Sequence, residues 1–361
     1  MIDDHGHPFA RSGGPWDIAS IGLFTEVGTN ADQRRQEIGG KRLWANLMDQ
    51  RLAGYLRCKV ADLPEARDEA SADWPTYVRE LLDDAGIVES IFDVGGERDS
   101  TVSDYYADLT ARPVHWLGRI DPVIDNLMEA GADAETIVSE VEQFCREAIS
   151  AGCAGFKTAI AYRTGLAVRA NVTIDQAQES LAGEMAVRRR GKACRDLAFQ
   201  RALGIAAEGG RPFQVHTGFG DSSLRLIESN PLLLEELLGT EEGSSASVVL
   251  IHSGYPWTEE LGFLAMSKPN VFAEVSLINI FTPLKVTETI LQLLELVPTD
   301  RIIFGTDGHE QPETFWFAAH ALRQSWEQVG QELGRVGAST SWIEEARHDL
   351  FEGNARRLYL E

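Results

Sequence analysis

The sequence predicts an α/β fold, a TIM-like (β/α)8 barrel, on three observations. Eight short apolar, β-branched runs alternate with amphipathic helical patterns, the signature of βαβ units and a parallel sheet. The 361 residues exceed the ~100–200 of an ordinary domain, but barrels run to about 250 residues or more with insertions. Finally, five stretches place metal-ligating side chains near strand ends: Asp4-His5-Gly6-His7, Gly155-Phe156-Lys157, Gln214-Val215-His216, Leu250-Ile251-His252 and Gly305-Thr306-Asp307. The C-terminal ends of barrel strands form the floor of the active site, so these residues could converge there.

Taken in order, the expected strands are Met1–Asp4, Ile87–Val94, Val114–Ile120, Gly155–Ile160, Phe213–Thr217, Ser247–His252, Val271–Val275 and Arg301–Gly305. Apolar residues at i, i+3 and i+4 predict helices over Glu135–Ile149, Cys194–Glu208, Ser223–Leu238, Thr287–Leu296 and Glu313–Leu333. Asn354–Tyr359 reads as a closing helix. One domain over 1–361 is expected, with a helical insertion at 28–86 after strand one and a second at 164–190 after strand four. The first holds a helical stretch around Arg34–Leu56 and the acidic segment Asp62–Asp73. The second ends in Arg188-Arg189-Arg190, a run read as a solvated helix face. Insertions on this face of a barrel commonly cap its active site.

Charge narrows the function. A formal net charge of −23 repels phosphate backbones and anionic headgroups, so neither nucleic acid nor a membrane surface is an expected partner. The expected partner is a small-molecule substrate, with self-association into a homo-oligomer left open. Cys58, Cys145, Cys153 and Cys194 form no CxxC pair, which favours free thiols. No apolar run reaches the ~18 residues of a membrane span. No basic or apolar leader precedes the first strand, so a cytoplasmic location is expected.

The strand-end residues suggest metal chemistry. His5 and His7 at i and i+2 face the same way and can chelate one divalent ion, with Asp4 or a carbonyl fixing their tautomers. His216 and His252 each close an apolar strand and precede a Gly-containing turn. Asp307 could ligate an ion and accept a proton from activated water, or cap a following helix. Lys157, a charge in an apolar strand, reads either as a side chain snorkelling outwards or paired with a carboxylate, or as a buried amine converted to a carbamate that bridges two metals.

With these residues in hand, the chain resembles the amidohydrolase superfamily: His-x-His, Lys, His, His and Asp fall on strands one, four, five, six and eight. Asp4-His5-Gly6-His7-Pro8, Phe24-Thr25-Glu26, Gly155 to Leu166 and His216 to Asp221 are similar to its amidohydrolase-2 branch, and most of all to nodulin/FluG-type domains. Thr306-Asp307-Gly308-His309, Pro312-Glu313 and Asn354-Ala355 also fit. Asp93-Val94-Gly95-Gly96 departs from the acidic pair that relatives tend to carry after strand two.

The resemblance implies a metal-dependent hydrolase of an amide (C–N) or related carbonyl bond in a small, carboxylate-bearing substrate. With two ions, zinc or manganese, His5 and His7 would hold one, His216 and His252 the other, and carboxylated Lys157 would bridge them. With one ion, His5, His7 and Asp307 would bind it, with or without His216, and His252 would polarise the carbonyl or accept a proton. Asp307 is the expected general base. Glu26, Tyr162, Arg163, Asp221 and His309, just beyond the ligands, are the expected substrate contacts. The alternatives are a non-hydrolytic relative, decarboxylase or isomerase, and a barrel that binds metal without catalysis.

Overall fold

Strand β1, Ile2–Phe9, is followed in chain order by β2 Glu89–Asp93, β3 Val114–Arg119, β4 Gly155–Thr158, β5 Phe213–His216, β6 Val248–Ile251, β7 Val271–Val275 and β8 Ile302–Phe304. A ninth, β9 Gly308–Glu310, was not anticipated. This computed structural model describes residues 1–21, 41–182 and 187–361. The sheet runs in sequence order from β8 to β1, with β9 beyond β1, and every described pairing is parallel. The chain is a TIM-like α/β barrel.

The β8–β1 seam is closed by the 305–307 turn. The Asp307 amide donates to the His5 carbonyl at 2.8 Å, while the Thr306 amide and hydroxyl donate to the Asp3 carboxylate at 2.6 and 2.7 Å. A Cβ at Gly305 would lie 2.5 Å from both Asp4 Oδ1 and Glu274 Oε1, so glycine alone permits this approach. β9 then pairs with the second half of β1, Gly6 with Gly308 and Phe9 with Glu310. That pairing extends β1 beyond the expected Met1–Asp4 and places His5 and His7 inside a strand.

Four expected helices are present as Ala134–Ser150, Lys192–Glu208, Val286–Leu296 and Pro312–Arg335, and Asn354–Tyr359 closes the chain. Ser223–Leu238 is not a helix. It breaks into 3-10 turns at Leu226–Ser229, Pro231–Leu234 and Leu237–Gly239. Pro231 has no N–H to continue a helical ladder, and the Asn230 side chain instead accepts from the Leu232 amide. Of the Arg188–Arg190 run, Arg189 and Arg190 do not form the expected solvated helix face. Arg189 donates to the carbonyls of Arg163 and Ser223, and Arg190 to that of Met128.

Between β1 and β2 the described residues carry helices Leu43–Tyr55, Leu63–Ala70 and Trp74–Ala85, while part of the expected 34–56 stretch lies outside them. Arg67 ties this region to the barrel. Its buried guanidinium donates to Glu313 Oε1 at 2.8 Å, to the Gly14 carbonyl at 2.8 Å and to Gln311 Oε1 at 3.0 Å. Tyr77 adds a 2.7 Å hydrogen bond to the same Glu313 oxygen. A charge so buried is tolerated only because each side of the pair is satisfied. Among the described residues no helix is long and apolar enough to cross a membrane, and all four cysteines are free thiols.

Candidate active site

A cavity of about 580 Å³ opens at the C-terminal ends of the strands, within the range of small-molecule sites. Its lining includes His7, Lys157, His216, His252 and Asp307, and buried His5 lies against them. The structure therefore brings together all six side chains expected as metal ligands.

The closest group among them is His5, His7 and Asp307. Asp307 Oδ1 lies 3.3 Å from His5 Nε2 and 3.2 Å from His7 Nε2, and one donor atom from each residue fits within a 4.8 Å span. The position between the two histidines has no room for a side chain, because a Cβ at Gly6 would meet Phe315 Cε1 at 2.6 Å. Asp307 adopts a left-handed backbone (φ 52°), as does His252 (φ 70°). For residues other than glycine this costs about 1–3 kcal/mol each and tends to collect at functional sites.

Electrostatics prepares these residues to bind a cation. Burial pushes His5 down to about 4, aided by the positive charge of Lys157. Burial also drives His216 and His252 well below the ordinary histidine range. Neutral imidazoles keep a lone pair for a ligand. Burial would raise the Asp307 carboxyl, but His252, His5 and His7 outweigh it and hold the group well below the carboxylate range. Neutral nitrogens around an ionised carboxylate fit a divalent ion.

A relay beneath the site orients His252. Glu274 Oε2 accepts from the His252 amide and the Ser276 hydroxyl, both at 2.8 Å. Ser276 Oγ has a lone pair left for His252 Nδ1, also at 2.8 Å. Nδ1 thus carries the ring proton and Nε2 is bare. His216 Nε2 lies 3.2 Å from the Phe219 carbonyl, which assigns the proton to that nitrogen. Lys157 Nζ sits 3.4 Å from His5 Nε2, and burial lowers its amine to about 8.

Asp4, expected to fix the histidine tautomers, instead turns to Tyr359, its Oδ2 accepting from the hydroxyl at 3.3 Å. Gln214 binds both the Asp4 carbonyl and the Tyr359 hydroxyl at 2.8 Å. Burial raises the carboxyls of Asp4 and Glu274, Asp3 raises Asp4 further and Asp4 raises Glu274, so this layer holds protons where an exposed pair would not. Nothing in the local sequence marks Tyr359 or Glu274 as part of the site.

The expected substrate contacts fare differently. Tyr162, Asp221 and His309 line the cavity. The Asp221 amide donates to Tyr162 Oη at 3.2 Å, and Asp221 is itself tied into a turn by the Ser223 amide and hydroxyl. His309 Nδ1 donates to the Asp307 carbonyl at 2.6 Å, and the ring stacks on Phe281. Arg163 reaches the cavity, but its Nε and Nη2 both lie 2.9 Å from Asp125 Oδ2. Glu26 lies outside the described residues. Sequence reasoning missed Arg119 at the end of β3, paired with Asp93 at the end of β2 (Nη2 to Oδ2, 3.2 Å). A lone Arg closing the run Val114–Arg119 was the only signal for it.

Comparison with known proteins agrees with this architecture. The amidohydrolase family pattern matches residues 2–360. The fluG protein of Emericella nidulans is 30% identical over 332 residues, which is 81% of this chain but only 38% of that protein. A candidate metal-dependent hydrolase from Lactobacillus casei superposes with a TM-score of 0.82 at 23% identity, covering 99% of this chain and 94% of its own. A uronate isomerase from Thermotoga maritima gives 0.68 at 14% identity, covering 100% and 94%. At these identities the two structures attest the fold alone. With the family pattern spanning nearly every residue and a FluG relative alongside it, the chain belongs to the amidohydrolase family, in its amidohydrolase-2 branch.

Proposed function

We propose that the protein is a metal-dependent hydrolase of an amide or related carbonyl bond in a small, carboxylate-bearing molecule. The observation that carries this is the convergence of His5, His7 and Asp307 within 4.8 Å at the cavity floor. A divalent ion bound there, zinc or manganese, would polarise a carbonyl and bring the pKa of water to about 7. Asp307 is the proton acceptor: its Oδ1 faces the two histidines, and its Oδ2 is 3.9 Å from His252 Nδ1. His252, with its Nε2 bare, can accept or return a proton at the substrate carbonyl. If two ions are held, His216, His252 and carboxylated Lys157 are the additional donors. Tyr162, Asp221 and His309 shape the substrate space above them.

Turnover of a panel of N-acyl amino acids and γ-glutamyl amides by zinc- or manganese-loaded protein tests the reading. Asp307→Asn should lower kcat by about 10² or more, the usual contribution of a positioned base. Activity within a few-fold of wild type in that variant, with metal retained, would remove Asp307 from this role. Conversion of uronates with no hydrolysis of any panel member would favour an isomerase instead.

A further inference from the structure

We propose that Arg119, held by Asp93, is the residue that selects an anionic substrate, a role for which Arg163 is the sequence's more visible candidate. The inference rests on the hydrolase reading above only for which bond reacts, not for what the cavity binds. Arg119 ends β3 and is paired in register with Lys157 on β4, so it stands beside the proposed metal ligands. It lines the cavity, with 28% of its side chain exposed, and its partner Asp93 is fully buried.

The pairing is incomplete. Although Nη2 approaches Asp93 Oδ2 to 3.2 Å, Asp93 Oδ2 and Arg119 Nε are both buried polar atoms with no hydrogen-bond partner among the described residues. Asp93 directs Oδ1 to the Gly95 amide at 3.0 Å, which fixes the carboxylate in place. A guanidinium with one buried donor unmet and part of its side chain open to the cavity is a costly arrangement unless a ligand completes its partners. The other cations lining the cavity among the described residues are engaged elsewhere. Arg163 places two nitrogens on Asp125, which also takes Arg195 at 2.7 Å, and Lys157 lies against His5. Arg119 is thus the cavity cation with a planar fork available to match a carboxylate. The substrate it fits is a small molecule with a carboxylate set apart from the reacting carbonyl.

Isothermal titration calorimetry of the full chain tests this with dicarboxylates from malonate to adipate and the matching uncharged diamides. Titrations are run on both zinc-loaded and chelator-treated protein, so that carboxylate–zinc contact is separated from Arg119. Wild type should prefer at least one dicarboxylate over its diamide by about tenfold or more in both forms. R119Q should bring that ratio to within about twofold. R119K, which keeps the charge and loses the fork, should fall between and carries the test if R119Q does not fold. A wild type with no preference for any charged member would overturn the proposal. So would R119K or a folded R119Q with the wild-type ratio, or a loss of the ratio in R163Q alone. A preserved Arg119-dependent preference without turnover of any C–N substrate would support Arg119 while sinking the hydrolase reading.

Discussion

Burial governs the state of Lys157. Removal from water favours the neutral amine and lowers its pKa to about 8, although Asp93, Asp307 and Glu274 pull it back upward. An ammonium 3.4 Å from His5 Nε2 would oppose a divalent ion held by that histidine, whereas a neutral amine can take up carbon dioxide and become an anion. The sign follows: at a pKa of about 8 the neutral fraction is roughly a tenth at pH 7 and nine tenths at pH 9. Labelled carbamate, read by 13C NMR after incubation with 13C-bicarbonate and metal, should therefore increase from pH 7 to pH 9 and vanish in Lys157→Met. If no label is retained at either pH, Lys157 acts as a free amine. The same reasoning about environment separates Arg119 from Arg163. Both follow apolar runs and both reach the cavity, but Asp125 satisfies one, and Asp93 only half satisfies the other.

At the scale of elements, the helix Leu63–Ala70 is joined to the start of Pro312–Arg335 by Arg67 and Glu313. Pro312 opens that helix immediately after β9, whose Gly308 and Glu310 pair with the strand carrying His5 and His7. Removing one partner of a buried pair leaves the other charge uncompensated, typically at about 3–5 kcal/mol. Arg67→Met should lower the melting temperature by several degrees or more and perturb the β9 edge, while zinc content at saturation stays near wild type. A melting curve identical to wild type would show that the pair contributes nothing to the connection.

For the whole molecule, the proposed metal site spans the barrel's own closure. Asp307 lies on the turn after β8 and meets histidines of β1 some three hundred residues earlier in the chain. An ion bound there would bind the folded state alone, and by mass action a ligand at a hundred times its Kd adds about 2.7 kcal/mol. Chelation should lower the melting temperature, one to two equivalents of zinc should restore it, and His7→Ala should abolish the difference. An unchanged melting temperature on chelation, with metal shown to be removed, would mean that the ion does not bridge the seam.

Much of this molecule was determined by its sequence. Alternating strand and helix patterns specify the barrel because apolar period and turn chemistry are local properties. The strand-end histidines, Lys157 and Asp307 were visible because a polar residue closing an apolar run stands out wherever the run lies. The break of Ser223–Leu238 into turns was written in the sequence too, in Pro231, although the helical spacing around it masks the signal. The tertiary structure alone decided two other things. It decided that β9 extends β1, because that pairing joins residues three hundred positions apart. Above all it decided which cation faces the substrate. Arg119 and Arg163 are alike as letters, and the difference between a spent guanidinium and an available one lies in where Asp125 and Asp93 sit in space, which no local pattern encodes.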